Sequence, residues 1–129
     1  MTDIARRAHV WVAWLFAAGV LVQGYLAGAA LGQLGGSGDF STHLNIGYTL
    51  GIVALAVLVL AAAGRFPRSQ VGWSALLLIL YVVQTSLPFL RADMPAIAAL
   101  HPVNAMVLLV LAVVIAIRAR RLMGAPAAH

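Results

Sequence analysis

Residues 82–105 read VVQTSLPFLRADMPAIAALHPVNA. The stretch leaves one apolar segment, crosses the breakers Pro88, Arg91, Asp93 and Pro95, and enters another apolar segment at His101-Pro102-Val103-Asn104. Breakers between two greasy runs predict a helical hairpin. Proline lacks an N–H and is tolerated in the first turn of a helix. Two starts are therefore open for the next helix: one at Pro102, with His101 at or just before it and residues 95–100 as a short interfacial turn, and one at Pro95. A start at Pro95 would instead place His101 several residues deeper.

The same order of features occurs once upstream. VQGYL (22–26) matches VQTSL (83–87) at three of five positions, and a histidine opens the next segment in each case: HLNIG (43–47) and HPVNA (101–105). The spacing from Gln23 to His43 resembles that from Gln84 to His101. This predicts two hairpins related by a pseudo-twofold axis along a membrane normal.

The chain has 129 residues, 64% hydrophobic and 9% charged, with a mean hydropathy of +1.02. A soluble domain carries about a quarter charged residues. Lipid is thus the expected solvent. Spans of about 20 apolar residues are needed to cross a bilayer, and four are visible at about 10–31, 42–63, 71–90 and 96–117. The loops are GQLGGSGDFS (32–41), GRFPRSQ (64–70) and RADMP (91–95). The expected fold is all-α: a polytopic integral membrane protein, an antiparallel up-down four-helix bundle over residues 1–122, with a disordered tail at 123–129 in which His129 is a bystander.

Arg6, Arg7, Arg65, Arg68, Arg118, Arg120 and Arg121 fall on one side of these spans and only Arg91 on the other. The positive-inside rule then puts both termini in the cytoplasm of a bacterial inner membrane, with Trp11, Trp14 and Trp73 near the inner boundary. The charge of +5 is a topology device, and no nucleic-acid partner is expected. The first span, with its Arg6-Arg7 pair, imitates a signal peptide. Its apolar run of about 22 residues is too long for one, so it reads as an uncleaved span. Absence of cysteine excludes disulfides, iron–sulfur ligation and thiolate chemistry.

Polar residues inside a membrane are costly and face a cavity or the bundle interior. Gln23, His43, Asn45, Thr49, Gln84, Thr85, Ser86, His101 and Asn104 all fall in the outer half. The inner half reads as aliphatic apart from Ser74 and the boundary residue His9. His43, Gly47 and Gly51 share one helix face. The glycines serve close helix packing or leave room for a flat ligand. Gln23 and Gln84 fit interhelical hydrogen bonds equally well. Two repeat-related histidines fit an iron axial pair, or a zinc or copper site with Asp39 and Asp93.

At these residues the chain resembles one half of heme A synthase, a four-helix unit whose helix-two and helix-four histidines flank a heme. Residues 82–105 look like that family's passage from helix three to helix four. The chain also resembles a small uncharacterised family of four-span bacterial membrane proteins. The resemblance implies His43 and His101 as axial ligands of a heme. Heme A synthase has a glutamate three residues before the helix-two histidine and an arginine after it. Phe40 and Leu44 stand there, so the family's oxidation chemistry is not implied.

The sequence therefore predicts a b-type cytochrome-like protein for electron transfer or heme handling. His43 and His101 are the metal ligands. Gln23, Gly47, Gly51, Gln84 and Asn104 surround the cofactor, and Arg91 is the propionate partner. No residue reads as an activated nucleophile or a paired carboxylate. The expected partners are the lipid bilayer, a redox partner or larger membrane complex, and a second copy of the chain. The alternatives are a cofactor-free accessory subunit and an outer-face zinc or copper site.

Overall fold

The computed structural model describes residues 1–124. They form four long helices and one helical turn: α1 (Thr2–Ala30), α2 (Ser41–Ala63), α3 (Arg68–Ser86), α4 (Pro95–Ala98) and α5 (His101–Gly124). The four long elements are apolar and long enough to cross a membrane. α1 and α3 each pack against both α2 and α5, so the four close a ring as an up-down bundle.

The chain turns where its residues force it. Between α1 and α2, Gly35 and Gly38 have φ of 85° and 80°, open to glycine without cost. A Cβ on Gly36 would strike the main chain of Ala29 and Ala30. Asp39 then accepts from the Ser41 backbone N–H at 2.8 Å and from its hydroxyl at 3.0 Å, starting α2. These two donors hold the exposed Asp39 carboxyl below its ordinary pKa. After α3, a 3-10 segment (Leu87–Arg91) and α4 carry the chain to His101, where the long helix begins.

The core is small and mainly aliphatic, with one phenylalanine: Ala13, Phe16, Ala17, Ala54, Val57, Leu77, Ala112, Ile115 and Ala116 are buried. Alanine at these positions lets helices approach closely, the usual basis of packing where lipid tails are as apolar as leucine. The large aliphatic residues outside it, such as Ile52, Ile79 and Val110, point away from the protein.

Three features differ from the sequence reading. α1 starts at Thr2, well before residue 10. α5 runs through Met123 and Gly124, so the expected tail does not begin at 123; its remainder, with His129, lies outside the described residues. And Gln70 is not a loop residue. Pro67 caps α3, so Gln70 enters its first turn and lies fully buried with His9 and Ser74. Gln70 Nε2 donates to His9 Nε2 at 3.1 Å and to the Ile115 carbonyl at 2.9 Å. His9 Nδ1–H donates to the Val57 carbonyl at 2.9 Å, and the Ser74 hydroxyl to the Gln70 carbonyl at 3.0 Å. Nearby, Arg6 lies over Phe66 and donates from Nε to the Gly64 carbonyl at 2.8 Å. The arginine-rich end is thus closed by a polar lock.

Candidate two-histidine site

At the opposite end the bundle holds a cavity of about 650 Å³, within the range of small-molecule and cofactor sites. His43 and His101 both line it, with Gln23, Gln84, Gly47 and Arg91. Phe16, Val20, Leu50, Leu108 and Leu109 make its walls mainly apolar.

The imidazoles come from α2 and α5. Their ring centres are 6.3 Å apart and their planes cross at 67°. Each is anchored the same way. His43 Nδ1–H donates to the Gln23 carbonyl at 3.2 Å, and His101 Nδ1–H to the Gln84 carbonyl at 2.9 Å. A carbonyl can only accept, so both rings carry their proton on Nδ1 and present Nε2 as the lone-pair nitrogen. The Gln-to-His repeat of the sequence is thus a repeated hydrogen bond. Each partner carbonyl belongs to the last part of the preceding long helix, so the shared anchor is main-chain and sets the spacing from that residue to its histidine.

The two halves then diverge. Asn104 Nδ2 donates to the Leu80 carbonyl at 2.9 Å and to Gln84 Oε1 at 2.8 Å. That turns the Gln84 amide nitrogen toward His101 Nε2, 3.2 Å away. Gln23 has no such arrangement: its Nε2 is buried without a partner. No hydrogen bond to His43 Nε2 is made among the described residues.

Gly47 lines the cavity, and a Cβ there would come within 3.3 Å of Gln23 Oε1. Gly51 does not line it. A Cβ on Gly51 would meet Tyr81 Oη at 2.8 Å, so this glycine makes room for the tyrosine ring. Asn104 sits behind Gln84, outside the lining. Thr49, Thr85 and Ser86 bond carbonyls three or four residues back on their own helices, and Asn45 is exposed. A Cβ on Gly24 or Gly28 would meet nothing within 4 Å, so neither makes room for a neighbouring helix, and Gly24 lines the cavity.

Tyr81 escaped the sequence reading. It lines the cavity and donates from Oη to the Gly47 carbonyl at 3.1 Å and the Tyr48 carbonyl at 3.2 Å. Its one signal is position, three residues before Gln84 in an otherwise aliphatic run. Among the described residues no three His, Asp or Glu side chains come together as a metal-holding group. Asp39 and Asp93 do not join the histidines.

Fold and site together define a small four-helix bundle of membrane-spanning type with a two-histidine cavity near one end. The chain belongs to DUF6220, a family of unknown function, whose match covers residues 23–90. That segment is just over half of the 129 residues; it begins at Gln23, contains His43, Tyr81 and Gln84, and ends before His101. No curated protein and no solved structure is significantly similar to the chain.

Proposed function

We propose that the protein binds a b-type heme between His43 and His101 and serves electron transfer or heme handling in a bacterial inner membrane. The observation that carries this reading is the matched anchoring of the two rings. Metal-ligating histidines almost always donate their other ring N–H to a carbonyl or carboxylate, which fixes the tautomer and aims the lone pair. Both histidines are held so, from opposite sides of one cavity.

The residues fit the group. A metal between two opposed imidazoles sits about 2 Å from each nitrogen, which puts ring centres roughly 6 Å apart; here they are 6.3 Å apart. Gly47 keeps backbone surface bare beside the site, and the orphaned Gln23 Nε2 offers one free donor. Arg91, the arginine lining this cavity, suits the carboxylates of a porphyrin. When bound, heme supplies reversible one-electron chemistry whose potential depends on its ligands and on burial. The chain's residues hold and orient the ligand rings, keep water away with Phe16, Leu50 and Leu108, and offset negative charge at the mouth.

The arginine distribution supports cytoplasmic termini, which sets the histidine cavity toward the outer leaflet. A redox partner or a larger complex would meet it there.

Absorption of the protein purified from a heme-replete host tests this. A Soret band with split visible bands on reduction is expected. His43→Ala and His101→Ala should each abolish the six-coordinate spectrum, and His9→Ala should not. A colourless preparation that takes up no hemin on titration would end the heme reading and favour a cofactor-free accessory subunit.

A further inference from the structure

The geometry points to Gln84 as a displaceable cap on His101, so that His43 is the first ligand the site offers and His101 the second. This rests on the heme reading above, but the cap itself is a property of the protein alone.

The orientation of Gln84 follows from a chain of donors and acceptors that closes without choice. The Leu80 carbonyl can only accept, so the atom of Asn104 facing it at 2.9 Å is the amide nitrogen. That same nitrogen faces one terminal atom of Gln84 at 2.8 Å, which must then be the oxygen. The other terminal atom is therefore the Gln84 amide nitrogen, and it lies 3.2 Å from His101 Nε2. His101 has committed its only proton to the Gln84 carbonyl through Nδ1. Its Nε2 lone pair thus accepts from the Gln84 side chain. One residue holds both nitrogens of the ring, the first with its backbone and the second with its amide.

An iron and an amide hydrogen cannot share one lone pair. For His101 to ligate, the Gln84 amide must rotate away. His43 carries no such cap, because the repeat-related glutamine, Gln23, leaves its amide nitrogen without a partner. The two ligands are alike in their Nδ1 anchor and unlike in their availability.

The polar lock at the other end shows what a permanent cap looks like. His9 has its Nδ1–H on a carbonyl and its Nε2 against Gln70 Nε2, the same pattern as His101. There the second amide hydrogen is taken by the Ile115 carbonyl and all three side chains are fully buried. Gln84 instead borders open cavity, into which its amide can swing. The same cap is a lock where nothing surrounds it but protein, and a gate where it lines a void.

Gln84→Leu and Gln84→Met remove the donor and keep the bulk. Hemin titration of the detergent-solubilised protein should show roughly two- to tenfold tighter binding in both variants, the value of one competing hydrogen bond. The wild type should show a five-coordinate, high-spin fraction that both variants lose. In the wild-type background His43→Ala should weaken hemin binding more than His101→Ala, and in Gln84→Leu that difference should shrink. Unchanged affinity and spin state in the Gln84 variants would overturn the inference while leaving the heme reading intact. Failure of every variant to bind hemin would overturn the heme reading and with it the order of ligands. The cap is read separately from the His101 Nε2 nitrogen resonance of the heme-free protein. It should move to the position of a free imidazole lone pair in Gln84→Leu, and an unmoved resonance would show that no cap exists.

Discussion

Tyr81 and Gly51 decide how the cavity ends. The tyrosine ring crosses from α3 to α2 and its hydroxyl meets the Gly47 and Tyr48 carbonyls, which is only reachable because Gly51 has no side chain. A Cβ there would lie 2.8 Å from the Tyr81 hydroxyl oxygen and 2.9 and 3.0 Å from two carbons of its rigid ring. Gly51→Ala should therefore cost about 1–3 kcal/mol, the usual range for overpacking. Denaturation in mixed detergent micelles measures it. In a Tyr81→Leu background the penalty should largely vanish, and a full penalty there would remove the ring as its cause. The glycine spacing was legible in the sequence, but its purpose was not. Period alone cannot say whether a bare helix face receives a ligand or a neighbour's ring, and here Gly47 borders the void while Gly51 receives the ring. Gly19 is a third case, placed against the flexible end of Leu50, where an alanine should be accommodated at smaller cost.

At the scale of elements, the hairpins were legible because their loops carry strong breakers and their spans are long. Less legible was where α5 begins, since Pro95 and Pro102 both mark helix starts. The structure uses both: Pro95 opens the single turn α4 and His101 opens α5. This break seats His101 at a helix entry, as His43 is, so that each ring reaches the carbonyl of the glutamine before it. The entry of α2 depends on Asp39, which receives two hydrogen bonds from Ser41. These favour the charged form and hold its pKa below the ordinary 3.8. A carboxyl depressed in the folded state adds stability above its unfolded pKa and loses it as pH falls through the folded value. The Ser41 amide resonance should therefore titrate with a midpoint below 3.8, and Asp39→Ala should remove that titration. A Tm difference between Asp39→Ala and the wild type should be present near neutral pH and disappear on acidification past that midpoint. A difference that persists in acid would mean the side chain acts by packing and not by charge.

Across the whole molecule the polar groups form two layers with one spacing. His9 and Gln23 on α1, His43 and Val57 on α2, Gln70 and Gln84 on α3, and His101 and Ile115 on α5 are each separated by 14 residues. At 1.5 Å per residue this is about 21 Å along a helix. It is also two heptads, which returns to nearly the same face. Every helix thus points one polar contact inward at each end of the bundle. Only one layer was visible in the sequence. The layer near the histidine entries announces itself through a repeated motif, whereas the other relies on two main-chain carbonyls, which no side chain marks, and on Gln70, which sits among loop-forming residues. The layers differ in packing: His9, Gln70 and Ser74 are fully buried, whereas His43, Gln84 and His101 border a cavity. The buried layer should therefore serve stability alone. Gln70→Leu leaves His9 Nε2 and the Ile115 carbonyl without their donor, and should cost about 1–3 kcal/mol. On the heme reading proposed above, it should leave hemin uptake and the resulting absorption spectrum unchanged. Because the layers share no partner and stand about 21 Å apart along each helix, the losses from Gln70→Leu and His43→Ala should add to within about 0.5 kcal/mol. A shifted Soret band in Gln70→Leu, or a larger departure from additivity, would show that the two ends communicate through the helices that join them.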